Sequence, residues 1–251
     1  MITRRQIQTI RSLDRKKVRD ERGLFLAEGP KLVDELSAVF ELVFVAHTSD
    51  YAWSGAPRCE EVEVSEAELA RLSLLTTPHS VVAVFRKPAD SVLTSLSVNS
   101  GSLIVALDGV QDPGNVGTIL RLADWFGVDT VVCSRDCADV FSPKVVQACM
   151  GALAHVAVRR VDMVGFLRAL PTGFPVWGAY LSGDDLYTTK VERRGVILLG
   201  SEGNGISPAC GQYVTRRLYI PSFAAGRATC ESLNVSTAAA IVISEFCVRG
   251  Q

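Results

Sequence analysis

Three stretches of this chain place polar residues at the ends of apolar runs, where a protein exposes chemistry. In the first, Asp108-Gly-Val-Gln-Asp-Pro-Gly is a Pro/Gly turn leading into Asn115-Val-Gly-Thr-Ile-Leu-Arg121. Val116, Ile119, Leu120, Ala123 and Phe126 recur at helical spacing and face a core. Asn115, Thr118 and Arg121 recur every three residues on the other side, so an amide and a guanidinium project near the start of that helix. The second stretch, Ile197-Leu-Leu-Gly-Ser-Glu-Gly-Asn-Gly-Ile-Ser207, sets Gly200, Gly203 and Gly205 around Glu202. Glycines there allow positive φ and close approach of backbone to a ligand. Neither phosphate-binding glycine signature is present and no lysine follows, so the loop offers backbone groups and one carboxylate to an uncharged or cationic ligand. The third stretch runs from Leu218-Tyr-Ile-Pro221 to Ser232-Leu-Asn-Val-Ser236 and enters a helix whose buried stripe is Val235, Ala238, Ala239, Val242 and Phe246. Ser232 or Asn234 can cap that helix, and its first N–H groups can orient a ligand. Taken singly, each stretch has a plainer reading: a surface arginine, a glycine-rich turn, a helix cap.

The elements around these loops form two blocks. From Leu24 to Phe85 strand and helix patterns alternate: FLAEGPKLVDEL predicts a strand then a helix, ELVFVAH a strand, SEAELARLSLL a helix and SVVAVFR a strand. Residues 91–102, rich in serine and without a period, read as a linker between a domain at 1–90 and one at 103–251. Beyond it SLIVALD, TVVCS, HVAVRRV, PVWGAY, VILLGS and RLYIP predict strands, VVQACMGAL a helix, and residues 234–246 a final helix. Strands apolar throughout suit a parallel sheet covered on both faces, whose ligands sit beyond the carboxyl ends of the strands. All three polar loops open at that edge.

Composition narrows the function. With 251 residues, 48% of them hydrophobic, the chain can bury a sizeable core, and a net charge of −1 excludes a polycation that coats nucleic acid indiscriminately. The basic character is local: residues 1–22 hold eight Lys/Arg against three acids, on a segment read as one helix with an apolar stripe of Ile2, Ile7, Ile10, Leu13 and Val18. Seven cysteines without a C-x-x-C, and three isolated histidines, argue for reduced thiols and against a zinc site. No leader and no membrane-length apolar run is seen in the sequence, which points to the cytoplasm. Trp125, Phe126, Trp177 and Tyr180 fall in helix or strand patterns and read as core; His79 reads as a loop residue.

In order and spacing, N-x-G-x-x-x-R at 115–121, L-G-S-E-G-x-G at 199–205 and I-P…S-L-N-V-S at 220–236 resemble the three signature motifs of the SpoU family of RNA ribose 2′-O-methyltransferases, within the SPOUT superfamily. FSPKVVQACMGAL at 141–153 resembles the family's Pro-Lys…Gly-Ala segment, with Cys149 where serine is common, and GLFLAEGPKLVDEL at 23–36 its amino-terminal substrate-binding domain. The stretch between Pro221 and Ser232 is a few residues longer than in many members. The resemblance implies a small N-terminal α/β (L30e-like) domain and a C-terminal parallel-sheet α/β domain with a deep trefoil knot formed by the loops after Gly200 and Ile220. It implies S-adenosylmethionine as cofactor, with Leu199, Gly200, Gly203, Gly205, Ile220 and Leu233 at its site, and an RNA substrate, ribosomal or transfer. Arg121, Asn115, Glu202, Ser232 and Asn234 then form the catalytic group, with Asn115, Ser232 and Asn234 fixing the ribose and Glu202 holding the loop or Arg121. A neutral guanidine at pH 7 costs about 7 kcal/mol, so the expected role of Arg121 is to clamp the target phosphate and stabilise the developing 2′-oxyanion rather than to act as a base. A homodimer packed through the knot is implied too, and Arg4, Arg5, Arg11, Lys16 and Lys17 become phosphate contacts. Neither a metal nor a membrane is expected. Two rivals stand beside this reading: a non-catalytic RNA-binding or ribosome-associated module of the same fold, which intact motif residues oppose, and a Rossmann-type oxidoreductase or small-molecule methyltransferase, opposed by the lack of G-x-G-x-x-G after the first strand.

Overall fold

The computed structural model describes residues 2–52, 59–89, 98, 99, 101–224, 227, 228 and 230–250. They fall into two compact units, Met1–Asp90 with Asp139–Ala154, and Ser91–Ala138 with His155–Gln251. The expected linker at 91–102 lies mostly outside the described residues.

In the first unit, strands β1 (Leu24–Glu28), β2 (Leu42–His47), β3 (Glu60–Glu63) and β4 (Val81–Arg86) form a mixed sheet in the order β1-β4-β2-β3. β4 is antiparallel to β1 and β2, and β3 is parallel to β2. β3 has no counterpart in the sequence reading, because Glu-Glu-Val-Glu lacks apolar alternation. It is an edge strand held by backbone pairing, and its exposed glutamates discourage a further strand. The basic segment forms two helices, Arg4–Ser12 and Lys16–Arg22, rather than the single one expected. Arg19 explains the break: its Nη1 donates to the carbonyls of Leu13 and Asp14, both at 2.7 Å, and its Nη2 pairs with Asp139 Oδ2 at 2.6 Å. The side chain is 2% exposed, so this cation belongs to the interior. Leu13 turns inward at the break and joins Ile2, Ile10, Leu26, Leu69 and Leu72 in the core.

The segment Asp139–Ala154 packs within this unit, Phe141 meeting Phe25 at 5.0 Å between ring centroids. Ser142 caps the helix Pro143–Ala148, and at Gly151, with φ +99°, a Cβ would fall 1.5 Å from Glu35 Oε2.

The second unit is the expected parallel sheet. Strands β5 (Leu103–Asp108), β6 (Thr130–Ser134), β7 (Ala157–Val161), β8 (Val176–Asp185), β9 (Gly195–Gly200) and β10 (Arg216–Tyr219) align in the order β10-β8-β9-β5-β6-β7, every pair parallel. β5 is buried along its whole length and β9 in all but its last residue, as a sheet covered on both faces requires. Ile104 and Ala106 pack with Met163 and Leu167 of the short helix Met163–Arg168, while Val235–Arg249 lies against Pro113–Trp125 and β9. Met163–Arg168 and Pro208–Gly211 are too short to show a period in the sequence. Trp125 departs from its expected place: it is 83% exposed, because it sits about 200° around the helix from buried Ala123. Phe126 caps the helix and is partly exposed, whereas Trp177 is core and meets Phe246 edge to face. The expected knot would be threaded through 220–234, of which 225, 226 and 229 lie outside the described residues.

Candidate active site

Three strand ends bring the polar loops together. β5 ends at buried Asp108, whose Oδ2 accepts from the backbone N–H of Ser207 at 2.7 Å. The loop after it turns at Gly109 with φ +70°, and Asp112 caps the helix Pro113–Trp125 by accepting from the Asn115 N–H at 2.8 Å. Pro113 suits the first helical position, where no N–H is needed. The cap fixes Asn115, and the side chain of Asn115 fixes the other two loops.

Asn115 Nδ2 donates to Glu202 Oε1 at 2.6 Å, and Asn115 Oδ1 accepts from Asn234 Nδ2 at 3.0 Å. Asn234 Oδ1 accepts from the N–H groups of Ser236, at 2.8 Å, and Thr237, at 3.3 Å, capping the last helix. The direction of the relay is fixed chemically. A carboxylate only accepts, so the Asn115 amide must turn its NH2 to Glu202; the helix N–H groups only donate, so Asn234 must turn its oxygen to them. Residues 87 and 119 positions away from Asn115 are thus tied to it by two hydrogen bonds.

The Glu202 loop is a tight closed turn: Ser201 and Gly205 exchange backbone hydrogen bonds of 3.0 and 2.9 Å. A Cβ on Gly200 would lie 1.9 Å from the Gly205 carbonyl carbon, and Gly205 has φ +65°, so both glycines are required by the turn itself. Gly203 has open space around it.

Below these loops lies a cavity of about 800 Å³. Its lining includes Leu199, Gly200, Gly203, Gly205, Ile220 and Leu233, together with Glu202 and Ser232. The helix residues Val235, Ala238 and Val242 add an apolar wall. The structure therefore gathers the residues expected at a cofactor site into one space. Arg121 stands apart from the relay: it is exposed, about 9 Å further along the helix than Asn115, and without an ion pair among the described residues. Glu202 accepts from Asn115, and no ion pair joins it to Arg121 among the described residues.

Tyr180 and Arg217 also line the cavity, with the guanidinium carbon 4.0 Å from the Tyr180 ring centroid. Tyr180, read from the sequence as core, packs half-buried against the core and also lines this wall. Burial pushes the Tyr180 phenol up, opposed by the Arg217 charge and reinforced by Asp108. Both residues fall on strands predicted from the sequence, but their meeting depends on the loss of register between β8 and β10 at Arg217 and Leu218, which neither strand pattern shows. Two thiols lie near the Asp108 loop: Cys137, which donates to the Leu107 carbonyl at 3.2 Å, is lowered to about 7 chiefly by neighbouring Cys133, while Cys133 is raised by Cys137 and by burial. Among the described residues no group of three or more His, Cys, Asp or Glu is placed to hold a metal ion, and no helix is long and apolar enough to cross a membrane.

A parallel α/β sheet with a nucleoside-sized cavity at its carboxyl edge, in a chain that also carries a mixed-sheet unit, defines a two-unit cofactor-binding class. Residues 102–244 match the SpoU rRNA Methylase family and residues 4–83 the MRM3-like substrate binding domain, and the chain belongs to the SpoU rRNA methylase family. It is 29% identical to the 23S rRNA (guanosine(2553)-2′-O)-methyltransferase RlmP of Bacillus subtilis, over 95% of this chain and 94% of that one. Mitochondrial rRNA methyltransferase 3A of Danio rerio is 34% identical over 53% of this chain, which spans 33% of that longer protein. Among solved structures, one from Porphyromonas gingivalis, assigned to the TrmH family of RNA methyltransferases, has 42% identity and a TM-score of 0.87 with 98% of each chain covered. The AdoMet-bound rRNA methyltransferase of Sinorhizobium meliloti has 30% identity and a TM-score of 0.81, covering 98% of this chain and 95% of that one.

Proposed function

We propose that this chain transfers a methyl group from S-adenosylmethionine to a ribose 2′-hydroxyl of ribosomal RNA, as the names of its relatives describe for them. The observation that carries the reading is the Glu202–Asn115–Asn234 relay, which ties three loops together beside the cavity that Glu202 lines. The donor fits the residues present. An adenosine needs backbone partners and apolar walls rather than a phosphate cradle, and about 800 Å³ is within the range of small-ligand sites.

When bound, S-adenosylmethionine supplies an electrophilic methyl group. Leu199, Gly200, Gly203, Gly205, Ile220 and Leu233 hold the adenosine, chiefly by backbone. Asn115, Ser232 and Asn234 fix the target ribose. Glu202 orients Asn115, so that its amide is set before RNA arrives. Arg121, exposed and without an ion pair among the described residues, clamps the target phosphate and stabilises the developing 2′-oxyanion. The 2′-hydroxyl also lets the site tell RNA from DNA.

In the first unit, Arg4, Arg5, Arg11, Lys16 and Lys17 contact RNA phosphates. Arg4 and Arg5 are exposed without ion pairs among the described residues, which supports this role most strongly. Arg11 donates to the carbonyls of Arg71 and Ser73, and Lys16 and Lys17 pair with Asp20 and Glu21. The working form is a knotted homodimer in the cytoplasm. Two large apolar side chains, Trp125 and Val248, exposed on the pair of helices that pack together, support self-association.

The test is transfer of labelled methyl from S-adenosylmethionine to unmodified ribosomal RNA, followed by alkaline hydrolysis. Alkali-resistant labelled dinucleotides are expected. Label released wholly as mononucleotides would show base methylation and overturn the reading, and donor binding with no transfer to any RNA would favour the non-catalytic module.

A further inference from the structure

The proposed chemistry leaves one cation of the cavity unused. Arg217 lines the cavity, is exposed, and has its guanidinium against the Tyr180 ring. Its neighbour Arg216 is paired with Asp184 at 3.7 Å, whereas no carboxylate among the described residues lies within ion-pair distance of Arg217.

The backbone goes to some length to build this arrangement. β10 pairs Arg217 with Gly178 of β8 and the next residue, Leu218, with Asp184, so that Ala179–Gly183 have no partner on β10. Ala179, Tyr180, Leu181 and Ser182 of this excursion all line the cavity. Gly183 closes it at φ +152°, and a Cβ there would fall 2.4 Å from the Arg217 carbonyl oxygen. Such bulges re-aim side chains at sites. Here the excursion lays an aromatic face under the guanidinium and leaves its N–H edges without a partner among the described residues, the geometry in which an arginine grips a planar anion. Of the donor's parts, only the α-carboxylate is a planar anion.

We propose that Arg217 recognises the α-carboxylate of the amino-acid half of S-adenosylmethionine, with Tyr180 as the positioning residue that holds the guanidinium. This rests on the methyl-donor reading of the cavity. It assigns the two ends of the donor to different chemistry: backbone and apolar contacts for adenosine, a charge-assisted fork for the amino acid.

Calorimetry with three ligands tests it: S-adenosylmethionine, its decarboxylated analogue, and 5′-methylthioadenosine, which lacks the amino-acid half. The wild-type protein is expected to bind S-adenosylmethionine about 10-fold to 100-fold tighter than the decarboxylated analogue, the range of a hydrogen-bonded charge. Arg217→Met should bring the two within about twofold and leave 5′-methylthioadenosine binding unchanged, which also reports a folded cavity. Arg217→Lys, retaining charge without the fork, and Tyr180→Leu should fall between; Tyr180→Phe should match wild type. Discrimination that survives Arg217→Met overturns the proposal. So does an Arg217→Met variant with unaltered donor binding and weakened RNA binding, which would make the cation a phosphate contact. If the wild-type protein binds neither the donor nor 5′-methylthioadenosine, the methyl-donor reading itself falls and takes this inference with it.

Discussion

The two units use their polar side chains in opposite ways. In the parallel-sheet unit, Asn115, Glu202 and Asn234 are committed to one another, and Glu202, with Ser232, Leu233 and Val235 on either side of Asn234, lines the cavity. In the mixed-sheet unit, several of the cations that make the amino-terminal segment basic are committed to the fold. Arg19 is buried on Asp139, Arg11 satisfies two carbonyls, and Lys16 and Lys17 face acids one turn away. Mutual commitment prepares a site in one case and removes charge from the surface in the other. A count of charges therefore overstates a binding surface, while an ordered spacing of polar residues understates how tightly a site is preassembled.

The largest effect that would break this contrast is at Arg19. Arg19→Met leaves Asp139 buried without its partner and should cost about 3–5 kcal/mol in denaturant unfolding. Were the cost below about 0.5 kcal/mol, Arg19 would be an ordinary surface cation. Next, Gly200→Ala and Gly203→Ala separate turn from surface within one loop. The first forces a Cβ into the Gly205 backbone and should cost about 1–3 kcal/mol, while the second has room and should stay within about 0.5 kcal/mol. Asn115→Ala removes the middle of the relay and should destabilise by about 1 kcal/mol, measurable as a fall in melting temperature. Arg4→Gln with Arg5→Gln should leave stability unchanged but lower the slope of log affinity against log salt by about 1.4–1.8 for RNA, the sign of two lost phosphate contacts.

The smallest effect tests the paired cations. Burial raises the Asp20 carboxyl, but hydrogen bonds and charge from Lys16 and Lys87 outweigh it and hold the group below its ordinary 3.8. A depressed folded value stabilises the protein above the unfolded one, and that contribution is lost as pH falls through the folded value. Asp20 is 41% exposed, so Asp20→Asn should cost less than about 1 kcal/mol at pH 7 and nothing measurable once pH is below both values.

Much of the parallel-sheet unit was legible in the sequence because its strands are uniformly apolar and its site residues sit where apolar runs stop. Asn234 as the last helix's cap and the burial of Val116, Ile119, Leu120 and Ala123 follow directly from spacing. What was not legible depends on backbone geometry without a period. β3 is held by pairing alone, the break at Leu13 depends on a distant aspartate, and the excursion of β8 that pairs Tyr180 with Arg217 is a register jump invisible in either strand's residues. Trp125 was misplaced for a different reason: a large apolar residue near a helix end satisfies the composition of a core without lying on its face.

The central claim is that a permanently charged Arg121 acts by its two-pronged grip on a prebuilt site. Single-turnover methyl transfer with Arg121→Lys and Arg121→Ala, alongside donor affinity for each, tests it most directly. Both substitutions should slow transfer by about 100-fold or more while leaving S-adenosylmethionine binding within about twofold, since Arg121 is not in the cavity lining. An Arg121→Lys protein that transfers methyl at close to the wild-type rate would contradict the account.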